Sequence, residues 1–178
     1  MSTATIFDRL DDPTDHLYGL DDPERMRVLA SIDVESPDLR RRLDAIATRT
    51  AERLDVPIAM VTLVLDTAQV FAGSHGIDPL LAATGIPVEW AMCAHAVATR
   101  RPYLVEDAAT DPVQATNPAV VINGIGSYAG IPLILDGQAL GGHCIITGGP
   151  RTFTARDLDE LHATADEIIV VLKQYHLD

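Results

Sequence analysis

Between Ile125 and Thr147 the chain reads Ile-Gly-Ser-Tyr-Ala-Gly-Ile-Pro-Leu-Ile-Leu, then Asp-Gly-Gln, then Ala-Leu-Gly-Gly-His-Cys-Ile-Ile-Thr. Asp136-Gly137 between two apolar runs is a strong short-range hairpin signal, because a primed turn needs positive φ and glycine supplies it without a Cβ clash. The stretch is expected to form two paired antiparallel strands. Neither run alternates apolar with polar residues, so the hairpin should lie centrally in its sheet with both faces covered. The rest of the chain must provide those covers.

Upstream, Leu-Asp-Asp-Pro occurs at Leu10–Pro13 and again at Leu20–Pro23, a period too short for a solenoid. The second copy reads as a helix start, with Asp22 as N-cap, Pro23 at the first helical position and Glu24 favourable to the dipole. Another start stands at Ser36-Pro37-Asp38. Leu39, Leu43, Ile46, Ala47 and Leu54 then form one apolar stripe opposite Arg40, Arg42 and Arg49, an amphipathic helix for the sheet or for a partner. Ile58–Leu65 and Gln69–His75 read as strands, Gly76–Pro87 as a loop with at most one helical turn, and Trp90–Ala98 as a helix. Tyr103–Glu106 is a short strand, and Asp107–Pro118 a polar loop in which Asp107 and Asp111 are turn residues. Thr154-Ala-Arg-Asp157 is a capping pattern opening the last helix, whose apolar face is widened by Val170 and Val171. Strands in the middle and long helices at both ends predict an α+β fold: a central antiparallel β-sheet with the N- and C-terminal helices on one face. The domain division expected is an acidic N-terminal arm with a short helix over 1–35 and one domain over 36–178.

Composition narrows the function classes. The formal charge of −13 disfavours nucleic acid and anionic lipid as partners, and Arg40-Arg41-Arg42 reads as a solvated helix face. No apolar run approaches membrane-spanning length and no basic flank leads into one near the start, so a cytoplasmic protein is expected. Cys93 and Cys144 are far apart in sequence with no Cys-x-x-Cys, which indicates neither a disulfide framework nor a zinc ribbon. His143 and Cys144, adjacent on a strand, point to opposite sides, and Cys93 and His95 lie on different helix faces. No metal site and no cofactor are expected. Phosphate-binding, zinc-protease and serine-elbow motifs are absent, so an enzyme is the less favoured class.

Several short pieces in order resemble the GAF domain family: Asp-Asp-Pro-Glu-Arg-Met-Arg-Val-Leu, Leu-Asp-Val-Pro-Ile-Ala-Met-Val-Thr-Leu-Val, Met-Cys-Ala-His-Ala-Val, Val-Glu-Asp-Ala-Ala-Thr-Asp-Pro, Asn-Pro-Ala-Val, Tyr-Ala-Gly-Ile-Pro-Leu and Pro-Arg-Thr-Phe-Thr. The chain departs from the family at Met92, where Phe is common, at Gly126-Ser127, where bulky residues are common, and at Gly-Gly-His-Cys. The resemblance implies a GAF/PAS-like sensory or dimerisation fold with a ligand pocket under the middle helix and loops, on the sheet face opposite the terminal helices. Bilin attachment does not fit the His143-Cys144 order.

Within that frame the candidate ligand-binding residues are Trp90, Met92, Cys93, Tyr128 and Ile131. Trp90 stands at the expected helix start, where free backbone N–H groups favour an anion or carbonyl, although it reads equally as core packing. Tyr128 offers a phenol to a polar ligand or to the fold itself. Cys93 reads first as a core thiol that resists alkylation until denaturation, since free cysteine is commonly buried. The expected function is a cytoplasmic sensory module that binds a small polar or anionic ligand, nitrate-like or a small carboxylate, and signals to a partner protein in trans. A ligand-free dimerisation module is the competing reading, as is a thiol redox switch or methionine sulfoxide reductase-like enzyme through Cys93. A homodimer through the leading and last helices is expected from their apolar breadth.

Overall fold

Six strands make one antiparallel sheet: β1 (Ile58–Val64), β2 (Ala68–His75), β3 (Ile86–Pro87), β4 (Tyr103–Val105), β5 (Ser127–Leu135) and β6 (Gln138–Thr147), in the order β3-β2-β1-β6-β5-β4. The structure, a computed structural model, describes residues 17–178. The first Leu-Asp-Asp-Pro copy and much of the expected 1–35 arm lie outside the described residues. The Asp136-Gly137 turn forms as the sequence predicts, with φ of 49° and 77° at its two residues. It joins β5 to β6, and each of the two strands has a further neighbour, β4 and β1 respectively. The hairpin is interior, as its uninterrupted apolar character requires.

The helices are α1 (Pro23–Ala30), α2 (Pro37–Leu54), α3 (Pro79–Thr84), α4 (Cys93–Thr99), α5 (Pro118–Val121) and α6 (Ala155–Lys173). The predicted caps are made. Asp22 accepts from the Arg25 N–H at 3.0 Å, Ser36 Oγ from the Leu39 N–H at 3.3 Å, and Thr154 and Asp157 bond reciprocally in a capping box. Each cap satisfies helix-end donors that would otherwise lack partners.

On one face of the sheet α2 and α6 pack Leu43, Ala47, Ile168 and Leu172 against Val61, Leu63, Leu133 and Ile145. Arg49 pairs with Glu167, and Arg53 with Glu160 at 2.8 Å, so two arginines of the polar face tie the helices to each other. The width of α6 is largely consumed here: Val171 is buried and Val170 faces outward. On the other face the short α4 sets Cys93, Ala94 and Val97 against Met60, Tyr128, Cys144 and Ile146.

Three local expectations change. The middle helix does not begin at Trp90: Val88–Trp90 form a single 3-10 turn, Ala91 is extended, and α4 starts at Cys93. Pro87 belongs to β3 and the Val88 N–H bonds to the Thr67 carbonyl, which ties this turn to the sheet edge, and no side chain caps an earlier start. The Gly76–Pro87 loop carries the six-residue α3, capped by Asp78. Asn117-Pro118, at the end of the expected Asp107–Pro118 loop, is instead the N-cap and first residue of α5. The same dipeptide chemistry serves both structures.

Candidate functional site

A cavity of about 400 Å³ lies between the sheet and the α4 side of the fold. Met60 of β1, Gln69 and Phe71 of β2, Tyr128 of β5 and Ile146 of β6 form its sheet wall. Trp90, Met92 and Cys93 face them from the 3-10 turn and the start of α4, while Leu81 of α3, Ala119 of α5 and the 123–125 loop close the sides. Tyr128, Cys93 and Met60 are buried, whereas Gly76, Asp78, Asn123 and Gly124 are exposed. The cavity therefore opens between α3 and the loop after α5 and ends against Tyr128 and Cys93.

The half-buried Trp90 is held in place through its backbone. Asn117 Nδ2 donates to the Trp90 carbonyl at 3.2 Å and to Gln114 Oε1 at 2.8 Å. Gln114 Nε2 in turn donates to the Tyr103 hydroxyl at 2.8 Å and lies 3.0 Å from His95 Nε2. His95 stacks on Tyr103, with ring centroids 4.4 Å apart. This polar network clamps α5 to the turn that carries Trp90, and Asp111 supports it by accepting the Val113 and Gln114 N–H groups.

At the buried end, the Tyr128 hydroxyl donates to Cys93 Sγ at 3.0 Å, and Cys93 Sγ lies 3.7 Å from Cys144 Sγ. Two cysteines read as unrelated are thus neighbours, both as free thiols. The hydrogen bond from Cys144, joined by those from Thr62 and then Tyr128, lowers the pKa of Cys93 against the opposing effect of burial. The same contact with Cys93 raises Cys144, and burial adds to it. Burial, followed by the nearby cysteines, pushes the Tyr128 phenol well up, so it remains a donor. Tyr128 lies back along its own strand: a Cβ on Gly130 would sit 2.1 Å from its hydroxyl oxygen. Gly130 thus makes room for the ring rather than for a ligand.

Four of the five predicted residues, Trp90, Met92, Cys93 and Tyr128, line this one cavity, and Ile131 does not. Ile131 is buried under α2 and α6 in the opposite core, because residues three apart on a strand point to opposite faces. The lining also lacks the chemistry of a compact-anion site. Among the described residues it contains no Arg, Lys or His and one carboxylate, Asp78, and α4 is seven residues long with no side-chain cap.

The residue that sequence reading missed is Gln69. It is 2% exposed and lines the cavity, and its Oε1 has no hydrogen-bond partner among the described residues. A polar residue two positions from Phe71 on the same strand was the available signal. His75, His95 and His143 have separate surroundings. His75 bonds Thr48, His95 stacks on Tyr103, and His143 lies under α2 between Thr50 and the Met60 carbonyl. Burial pushes the His143 pKa down to about 4, against the raising effect of that carbonyl.

A GAF domain family profile matches residues 38–173, and the chain belongs to the GAF domain family. Among solved structures it is similar to the GAF domain of a phosphoenolpyruvate-protein phosphotransferase from Coxiella burnetii, with a TM-score of 0.67, 16% identity and coverage of 92% of this chain and 95% of that one. It is also similar to the blue-light absorbing form of the PixJ GAF domain of Thermosynechococcus elongatus, with a TM-score of 0.64, 16% identity and coverage of 77% and 86%. A third is the type II free methionine-R-sulfoxide reductase of Thermoplasma acidophilum, with a TM-score of 0.63, 13% identity and coverage of 78% and 95%. At these identities the likeness is one of fold. No curated protein matches the sequence. Among the described residues no helix is long and apolar enough to cross a membrane.

Proposed function

We propose that this GAF domain is a sensory module whose cavity takes a small, uncharged, largely apolar molecule bearing a hydrogen-bond donor, and that occupancy is read by a partner protein in trans. The Oε1 of the buried Gln69, unpartnered among the described residues, carries this reading. A buried acceptor without a donor costs on the order of 1–3 kcal/mol, and a ligand N–H or O–H aimed at it would recover much of that. The surrounding Met60, Phe71, Trp90, Met92 and Ile146 would supply apolar contact. The absence of cationic side chains from the lining among the described residues turns the expectation from an anion toward a neutral molecule.

A panel of small alcohols, amides and phenols, with nitrate and acetate alongside, tests this by thermal shift on wild type, Gln69→Leu and Trp90→Ala. A neutral donor at a hundred times its dissociation constant should stabilise wild type by about 2.7 kcal/mol and lose much of that effect in both variants. Stabilisation by the anions alone, or equal shifts in all three proteins, would overturn the assignment. Light scattering on the same samples addresses homodimerisation through α1 and α6, which belongs to the proposal as the simplest route for output. A monomer at micromolar concentration, with and without ligand, removes that part.

A further inference from the structure

The sulfurs of Cys93 and Cys144 are 51 residues apart in sequence and 3.7 Å apart in space. That proximity depends on two separate features of the fold. Cys144 lies on β6 with its side chain toward α4, and Gly142, two residues earlier on the same face, has no side chain. A Cβ at position 142 would lie 3.1 Å from Cys93 Sγ, so any other residue there would crowd the thiol. The two thiols also differ in access. Cys93 lines the cavity, whereas Cys144 is fully buried and does not.

We propose that Cys93 and Cys144 form a reversible dithiol–disulfide couple at the buried end of the cavity, with Cys93 as the thiol that meets a hydroperoxide and Cys144 as the thiol that resolves it. The inference is independent of the molecule that the cavity binds. In the first step the Cys93 thiolate attacks the terminal peroxide oxygen and the O–O bond breaks. The leaving oxygen takes a proton, giving a Cys93 sulfenic acid and water, or an alcohol from an organic peroxide. In the second step Cys144 sulfur attacks Cys93 sulfur and the S–O bond breaks. The hydroxyl leaves as water with the proton of Cys144, so two thiols and one peroxide become one disulfide and two waters.

The roles follow from the surroundings. The Tyr128 hydroxyl donates to Cys93 and so favours its thiolate, the nucleophilic form. Cys144, whose thiolate is disfavoured by its hydrogen bond with Cys93 and then by burial, remains a thiol until the sulfenic acid forms beside it. The sulfurs must approach from 3.7 Å to roughly 2.05 Å, the length of an S–S bond. Cys93 is the first residue of a seven-residue helix whose N-cap, Met92, follows the extended Ala91, a place where a small displacement disturbs few backbone bonds. Reduction by a small dithiol reverses the sequence, with the reductant oxidised to its own disulfide.

The test uses the full chain and hydrogen peroxide, with thiols counted by alkylation in denaturant and cross-links mapped by mass spectrometry. Wild type should lose both free thiols together, yield a Cys93–Cys144 peptide cross-link, and recover both thiols on treatment with dithiothreitol. Cys144→Ser should stop at a Cys93 sulfenic acid that dimedone traps, and Cys93→Ser should leave Cys144 unreacted. Folding of each variant is checked by its unfolding transition, and the wild-type thiol count stands without them. Thiols that survive peroxide until the protein is denatured, sulfinic acid at Cys93 without a cross-link, or prior oxidation of Cys144 would each overturn the proposal.

Discussion

On the sheet face under α2 and α6, Leu43, Val61, Ile168 and Leu172 have no exposed surface, and even the buried His143 has partners on both ring nitrogens. On the face under α4, the same strands present a cavity, a glutamine oxygen unpartnered among the described residues, and two free thiols. The difference lies in the covers. Two long helices lie across the first face, each with caps and an apolar stripe, while the second is roofed by α4 and two helices of six and four residues. Long helices can match a sheet's side chains row by row. Short pieces joined by loops leave space between them, and here the space has been kept rather than filled.

The comparison is most directly broken by truncating one residue from each face. Leu43→Ala should cost roughly 2–5 kcal/mol, because its neighbours cannot collapse into the gap. Ile146→Ala removes a side chain that already borders empty space and has fewer contacts to lose, so its cost should fall near roughly 2 kcal/mol or below. Chemical denaturation measures both. Equal losses would mean that the cavity face is packed as tightly as its opposite.

The helix face should also carry a pH signature. His143 in the fold has a pKa of about 4, below the ordinary value of 6.5, so between these values the unfolded chain binds the proton and the folded one does not. Its stabilising contribution is complete above the unfolded value and is lost as pH falls toward the folded one. Between about pH 7 and about pH 5 the loss should be on the order of 2 kcal/mol. The imidazole NMR shifts of His143 should stay those of the neutral ring through this range. A ring that titrates near its ordinary value would show that the face opens to water.

Much of the fold was legible because it is written locally. The Asp136-Gly137 turn, the Pro-preceding caps at Asp22 and Ser36, and the Thr154–Asp157 box each act within a few residues. The site was legible only in part. Trp90, Met92 and Cys93 are close in sequence and could be grouped, whereas the contact of Cys93 with Cys144 depends on where α4 settles on β6, which no local pattern encodes. Ile131 was misassigned although the period of two along a strand separates it from Tyr128. Gln69 was passed over because a strand was identified without asking which of its faces held the polar residue. The start of α4 was misplaced because helical composition says little about where the first capped turn can form.

The finest test of the comparison is Gln69→Leu in the unliganded protein. Replacing a buried amide that has hydrogen-bond partners by an aliphatic chain would strand those partners and destabilise the fold by about 1–3 kcal/mol. Among the described residues Gln69 Oε1 has no partner to strand. Leucine is close in length, keeps apolar contact with Phe71 and Ile86 beside it in the cavity wall, and removes an acceptor that must otherwise stay desolvated. The loss of the acceptor therefore works in favour of the folded state, and the variant should be more stable than wild type by about 1 kcal/mol or less, while being poorer at binding any donor-bearing ligand. Gain of stability with loss of binding is the mark of a group retained for recognition rather than for folding. If urea denaturation instead shows Gln69→Leu to be destabilised, the amide already has a satisfied role in the apo fold, and the two faces differ in packing alone.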